Sequence, residues 1–201
     1  LLATATLEYA HNLGGSQYHI NYVKLFGTLS GYVPLGQVAV LALSARGGRV
    51  YALDPQSVTI APKRFYLGGA ATMRGYGEAE MIPQDSRPAA IEQTRRCATV
   101  LSGLGCSPQL ADRLARGAMV PSEGAQAYVL FKAELRIGLG GSLELGLFTD
   151  VGNLWFDPTL VNLSQLKVSY GLGLRLLTPV GPAAFDVGFN VNPDPRINEP
   201  I

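Results

Sequence analysis

The sequence predicts an all-β fold, an antiparallel transmembrane β-barrel of which about seven strands are seen. Three observations carry this. Charge is sparse while glycine is abundant, apolar and polar residues alternate with period two, and the alternating segments are long enough to cross a bilayer. Charged residues are 15% of the 201, against roughly 25% in ordinary soluble domains. Glycine contributes 24 residues, and hydrophobic residues are 47% of the chain. That composition excludes a disordered chain, which would be poor in apolar residues and high in net charge. A formal net charge of +1 leaves no basic footprint for nucleic acid.

The elements follow in order. Residues 3–12 read as a strand, with Ala3, Ala5, Leu7 and Tyr9 apolar and Thr4, Thr6 and Glu8 polar. Residues 17–33 and 37–52 read as two more, with poorer alternation. Gly14-Gly15 and Pro34-Leu35-Gly36 punctuate them as turns. Residues 53–125 form one long connection with repeated prolines, well beyond the usual loop length of about 12–15 residues. Within it SPQLADRLARGA has helical spacing, with Ser107 as N-cap, Pro108 in the first turn and Gly117 at the end.

Four clearer strands close the chain. In 127–137 the odd positions are Ala127, Val129, Phe131, Ala133, Leu135 and Ile137, while Lys132, Glu134 and Arg136 are even. In 143–151 Leu143, Leu145, Leu147, Thr149 and Val151 alternate with Glu144 and Asp150. In 167–177 Val168, Tyr170, Leu172, Leu174 and Leu176 oppose Lys167, Gly171, Gly173 and Arg175. In 183–191 Ala183, Phe185, Val187, Phe189 and Val191 oppose Asp186 and Asn190. Because side chains alternate sides along a strand, every charge in these four strands falls on one face.

Two environments fit that pattern. In a soluble sandwich the apolar face is the core, whereas in a membrane barrel it meets lipid and the charged face lines the lumen. Runs of about 9–11 residues match a tilted membrane strand better than the usual soluble strand of about 5–6. Short turns at Gly140-Gly141 and at 179–182 alternate with long links at 53–125 and 153–166, the habit of outer-membrane barrels. Tyr9, Tyr32, Tyr51, Tyr128, Trp155 and Phe156 fall near strand ends, where an aromatic girdle would sit. No stretch approaches the apolar length of a membrane helix. The opening LLATATLEYA has no Met and no signal layout, which is expected of a mature segment or a fragment.

The most informative segment is RFYLGGAATMRGYGEAE, residues 64–80. It sets Gly68-Gly69 shortly before Arg74-Gly75-Tyr76-Gly77. Glycine permits tight turns and close approach, and an arginine between glycines can extend into a confined space and offer its fork to carboxylates. Glu134 and Asp150, on the charged faces of the next two strands, are the expected partners. Cys97 and Cys106 fit neither a zinc spacing nor CxxC, and a local disulfide between them is the expectation for an oxidising compartment. No nucleophile elbow, P-loop, HExxH or dinucleotide fingerprint occurs, so no enzyme activity, metal or cofactor is expected. His11 and His19 read as girdle or turn residues.

Four features in order, the GG…RGY loop, AELRI, LFTDVGNLW and YGLGLRLLTPVGPAAFDVGF, resemble the outer-membrane assembly-factor superfamily of β-barrels. That is the BamA and TamA group with its two-partner-secretion relatives, and the likeness runs from about residue 1 to 193. The resemblance implies a loop folded back into the barrel, with Arg74 at its tip meeting acidic groups of the inner wall. Glu134 matches the acidic residue of the strand after the loop, and Asp150 the Asp of FxDxG. It implies a place in the cell outer membrane and a role in inserting or translocating outer-membrane proteins. The implied partners are outer-membrane lipids, nascent outer-membrane or secreted proteins, and other subunits of an assembly machinery. A two-partner-secretion pore is the alternative within the superfamily, and a soluble β-sandwich binding module the alternative outside it. The family carries POTRA modules ahead of the barrel and more strands than are read here. Residues 1–201 are therefore expected to be the C-terminal part of a larger barrel domain, with 53–125 as its long RGY loop. The Pro-rich end NPDPRINEPI is expected to stop the ladder.

Overall fold

The computed structural model describes residues 1–12, 18–99, 106–179 and 181–200. The Gly14-Gly15 turn and Val180 of the 179–182 turn lie outside the described residues. Seven antiparallel strands form one open sheet in chain order. They are β1 (Leu2–His11), β2 (Asn21–Leu35), β3 (Ala39–Ala52), β4 (Ala127–Gly140), β5 (Leu143–Trp155), β6 (Lys167–Thr178) and β7 (Gly181–Asn190). β4 and β5 span 14 and 13 residues, longer than the alternation alone suggests, whereas β2 spans 15, starting later than residue 17 and running on through Pro34 and Leu35, which read as part of a turn. The extra turns of pleat lie at strand ends, where glycines and polar residues blur the pattern.

Register places the residues of each face in rows across the sheet. Leu7, Leu25 and Arg49 pair in one row with Ala127 and Trp155, and Leu43 pairs with Ala133 and Thr149 in another. Lys132 sits opposite Asp150, and Asp150 opposite Ser169. The burial pattern is inverted relative to a soluble protein. Leu172 is 56% and Phe185 70% exposed, while Asp150 and Glu134 are 0% and 7% exposed. A soluble sandwich would seal that apolar face with a second sheet, and all seven strands belong to one sheet. No helix among the described residues is long and apolar enough to cross a membrane; barrels cross with strands.

The connection from β3 to β4 is far more ordered than an extended loop. It holds two helices, α1 (Arg87–Thr99) and α2 (Pro108–Ala115). The hydroxyl of Ser107 caps α2 by accepting from the Leu110 N–H, as its position predicts. Helix α1 has a weak apolar stripe, which is why spacing alone does not reveal it. Ile82, Ala90, Met119, Val120 and Ile197 pack into a small core beside these helices. A second core joins Leu67, Met73, Tyr76 and Met81 of the connection to Leu130 and Leu154 of the sheet.

The aromatic girdle is only partly realised. Tyr9 and Tyr51 are exposed on the apolar face, but Trp155 is buried, and Tyr32 lies on the polar face, in one row with Ala42 and Glu134. Tyr128 turns to the polar face and packs on Phe65 at 4.7 Å between ring centroids. Loop segments folding over the ends of β4 and β5 cover positions that would otherwise meet an interface. His19 holds Asp54 at 3.0 Å, tying two loops together, and His11 stacks on Tyr9.

If the apolar face meets hydrocarbon, Leu172→Arg inserts a charge into it and costs about 2–4 kcal/mol near the bilayer midplane. Reversible unfolding of the full-length protein in lipid vesicles reads this out, and an unchanged stability would contradict the lipid-facing assignment.

Candidate functional site

Residues 64–80 run along the polar face of the sheet. The Phe65 and Ala125 backbones bridge in antiparallel fashion and begin the excursion. Its tip is a tight hairpin in which the Gly69 N–H donates to the Tyr76 carbonyl at 3.0 Å. The Thr72 hydroxyl stitches the turn, accepting from the Gly68 N–H and donating to the Gly68 carbonyl. Gly68 has φ +118°, and a Cβ there would fall 2.2 Å from the Gly77 carbonyl oxygen. Gly75 has φ +96°. Both positions demand glycine, for backbone conformation and for close approach.

Arg74 projects from this tip and is 5% exposed. Its Nε donates to Asp150 Oδ2 at 2.8 Å and its Nη2 to Asp150 Oδ1 at 2.7 Å, the forked geometry that arginine offers a carboxylate. The Arg74 backbone N–H also donates to Asp150 Oδ2, at 3.1 Å. Nη1 donates to Glu134 Oε2 at 2.7 Å and to Asp186 Oδ2 at 3.3 Å. The guanidinium carbon lies 3.5 Å from the centroid of the Phe148 ring, a cation–π contact from the same strand as Asp150. Carboxylates of β4, β5 and β7 thus converge on one loop cation.

Each carboxylate is itself held. Arg175 Nη1 donates to Asp186 Oδ1 at 2.7 Å, and its Nη2 to Glu134 Oε2 at 2.9 Å. Arg136 Nε donates to Glu134 Oε1 at 2.8 Å. Lys132 lies 3.6 Å from Asp150 and donates to the Thr72 carbonyl at 2.5 Å, so one strand lysine touches both halves of the contact. Near the tip, Asn190 Nδ2 donates to the Gly75 carbonyl at 3.2 Å. Tyr76 is buried in the core shared with the sheet, where loss of solvent raises its pKa above the ordinary phenol value.

The structure therefore brings together Arg74, Glu134 and Asp150, with Gly68, Gly69, Gly75, Tyr76 and Gly77 shaping the tip. Two contributions escape the sequence reading. Asp186 was legible as a charged-face residue of β7, but nothing in the chain said that Arg74 could reach past β6. What permits it is a run of glycine on the polar face. A Cβ at Gly171 would fall 2.4 Å from Phe148 Cζ, one at Gly173 2.1 Å from Asp186 Oδ1, and one at Gly188 2.8 Å from the Gly75 nitrogen. Side chains of β5 and β7, and the loop tip itself, occupy the space those residues leave.

The second is the segment after β7. The Pro-rich end does leave the ladder, but Pro195–Ile197 form a 3₁₀ turn and Ile197 enters the core beside α1 and α2. Arg87 pairs with Glu199 and, at 3.2 Å, with Asp194. Lys167 holds Glu199 at 3.2 Å. Asn198 Nδ2 donates to the Ala118 carbonyl at 3.1 Å. Cys97 and Cys106 are joined by a disulfide that bridges the end of α1 to the start of α2; residues 100–105 between them lie outside the described residues. Among the described residues no cluster of His, Cys, Asp and Glu could hold a metal ion.

Two outcomes follow from this geometry. Removing one partner of a buried ion pair strands the others and costs about 3–5 kcal/mol. Arg74→Ala should therefore free residues 64–80, read as faster proteolytic cleavage of that segment than in the parent. The second concerns pH. The Arg196 hydrogen bond, outweighing the cost of burial, holds the Asp194 carboxyl below the ordinary carboxylate range. A depressed folded-state pKa contributes stability that is present above the unfolded value, near about 3.9, and is lost as pH falls below it. Protection of the backbone amides at 194–199, measured relative to their intrinsic exchange, should be high at neutral pH and fall only below about pH 4.

The family model for the Omp85 superfamily domain matches residues 1–198. The chain is 25% identical over 171 residues to the outer membrane protein assembly factor BamA of Nitratidesulfovibrio vulgaris, covering 84% of this chain and 18% of that protein. It is 28% identical over 151 residues to a SAM50-like protein of Schizosaccharomyces pombe, covering 75% of this chain and 27% of that one. Among solved structures it superposes on BamA from Haemophilus ducreyi lacking POTRA domains 1–3, with a TM-score of 0.64 and 16% identity, over 96% of this chain and 35% of that chain. The chain thus spans little more than a quarter, at most, of the curated relatives' length.

Proposed function

The chain belongs to the Omp85 superfamily of outer-membrane β-barrel proteins, and from that premise we propose that it is the C-terminal part of a barrel that assists insertion or translocation of outer-membrane proteins. The loop of residues 64–80 is a fixed internal element of that barrel, locked to the wall through Arg74. One observation carries the reading: a single buried guanidinium meets carboxylates of β4, β5 and β7 at 2.7–3.3 Å. The assembly-factor and SAM50-like names of the matched relatives supply the class of client, nascent outer-membrane proteins. Membrane lipids and further machinery subunits complete the proposed set of partners.

The lock adds specificity more than stability. Desolvation offsets much of the attraction in a buried pair, so the net gain is small, but any other position of the loop leaves Arg74 and its acceptors unpaired. The wall keeps one shape while a client passes or inserts. Glu134 and Asp150 each face arginine or lysine, an arrangement better suited to a permanent contact than to proton transfer.

The test uses the full-length protein in proteoliposomes, with folding of a client barrel followed by its heat-modifiable gel mobility. Removing the guanidinium costs the lock about 3–5 kcal/mol and frees the loop. Arg74→Ala should thus slow client folding relative to the parent. Arg74→Lys keeps the charge without the fork and should fall between. Client folding at the parental rate in Arg74→Ala, with the loop shown to be free, would overturn the proposal.

A further inference from the structure

The apolar face carries one fully charged strand residue among those described, and it is not on the polar face with the others. Arg49 pairs with Leu25 on one side and Ala127 on the other, both apolar-face positions, and it is exposed. Its guanidinium lies 5.1 Å from the centroid of the Tyr51 ring, and among the described residues no carboxylate comes within ion-pair distance. Asp157 feels its charge only at longer range.

Its height along the strand is informative. β3 runs from Ala39 to Ala52, and Arg49 stands ten residues on from Ala39, the first apolar-face position of the strand. At about 3.4 Å per residue that is about 34 Å of strand. A tilt near 45° reduces it to about 24 Å along the normal, close to the roughly 25 Å height of an apolar barrel band. Arg49 therefore stands at the headgroup level of the leaflet facing the long loops, with Tyr51 just beyond.

Beside it is a hollow of about 330 Å³, bordered by Leu25, Ala127, Val129, Trp155 and Val161. Trp155, almost wholly buried, forms part of its border. Farther along the same strands, toward the short turns, lies a second, more apolar hollow of about 550 Å³. On its apolar-face side, Gly31, Ala45, Ala133 and Thr149 keep it open by their small size. Gly47 lines the first hollow on the side toward the second, and with Gly27 opposite it that row carries no side chain on β2 or β3. A cation thus stands over a trench that descends along the lipid-facing wall.

We propose that this is a site for an anionic phospholipid, with Arg49 holding a headgroup phosphate that no headgroup cation neutralises and an acyl chain lying in the trench below. Charge complementarity selects this occupant: an unpaired guanidinium at headgroup height pairs with phosphate, and a narrow apolar furrow matches hydrocarbon better than water or a protein side chain. The site rests on the lipid-facing reading of the apolar face but not on the Arg74 lock.

Trp155, the one tryptophan of the chain, reports on it. The full-length protein, its other tryptophans replaced by phenylalanine, is placed in phosphatidylcholine vesicles. A fixed fraction of the lipid is brominated in the chains, as either phosphatidylcholine or phosphatidylglycerol. Brominated phosphatidylglycerol should quench Trp155 at least about threefold more strongly. Arg49→Gln should equalise the two lipids, and Arg49→Lys should keep a preference. Equal quenching in the parent, or an undiminished preference in Arg49→Gln, overturns the site. Absence of quenching by either lipid overturns the site and the lipid-facing reading together.

Discussion

The fold is organised by a desolvated arginine that cannot be satisfied locally. Arg74 sits in a loop hairpin of a few residues, yet its acceptors come from β4, β5 and β7. Burying a guanidinium without acceptors would be prohibitive, so the loop can settle on the wall only where all three carboxylates converge. The strands, in turn, gather three cations and three carboxylates around it, and Arg175, Arg136 and Lys132 hold the acids that Arg74 needs. Wall and loop specify each other.

The glycines are the less obvious half of that constraint. Gly171, Gly173 and Gly188 make no contact that a contact list would prize, yet they open the space in which Phe148, Asp186 and the loop backbone lie. A glycine in a strand interior ordinarily weakens the strand. Here that weakness is accepted on the face where another element must approach closely. The apolar face of the same strands, where nothing approaches, is filled with leucine and phenylalanine.

How much of this could be read from the chain follows from the range of the interactions. Alternation in β4 to β7 is a local signal, so the strands and the sorting of Glu134, Asp150 and Asp186 onto one face are legible. The motif RGY with its preceding glycines points to Arg74, and the strand pattern points to two of its acceptors. The reach to Asp186 is not legible, because it depends on what β6 lacks rather than on what β7 carries. Helix α1 is hidden by its polar composition, and its partners lie about a hundred residues away, Arg87 meeting Asp194 and Glu199. The docking of the Pro-rich end is hidden for the same reason. Prolines say that the ladder ends but not where the chain goes next. The aromatic residues mislead in the opposite direction: Trp155 and Tyr128 sit at strand ends in sequence, but loops overlie those ends.

The acceptors of Arg74 follow it in the chain by 60, 76 and 112 residues. The guanidinium is therefore synthesised long before the last group that neutralises it, and the chain must travel with that charge hydrated. The forked contact to Asp150 and the contact to Glu134 need only β4 and β5, whereas the full set of acceptors exists only when β7 has joined the sheet. Separation along the chain thus divides the anchorage into a portion supplied by the two strands nearest the loop and a portion supplied by the most distant one.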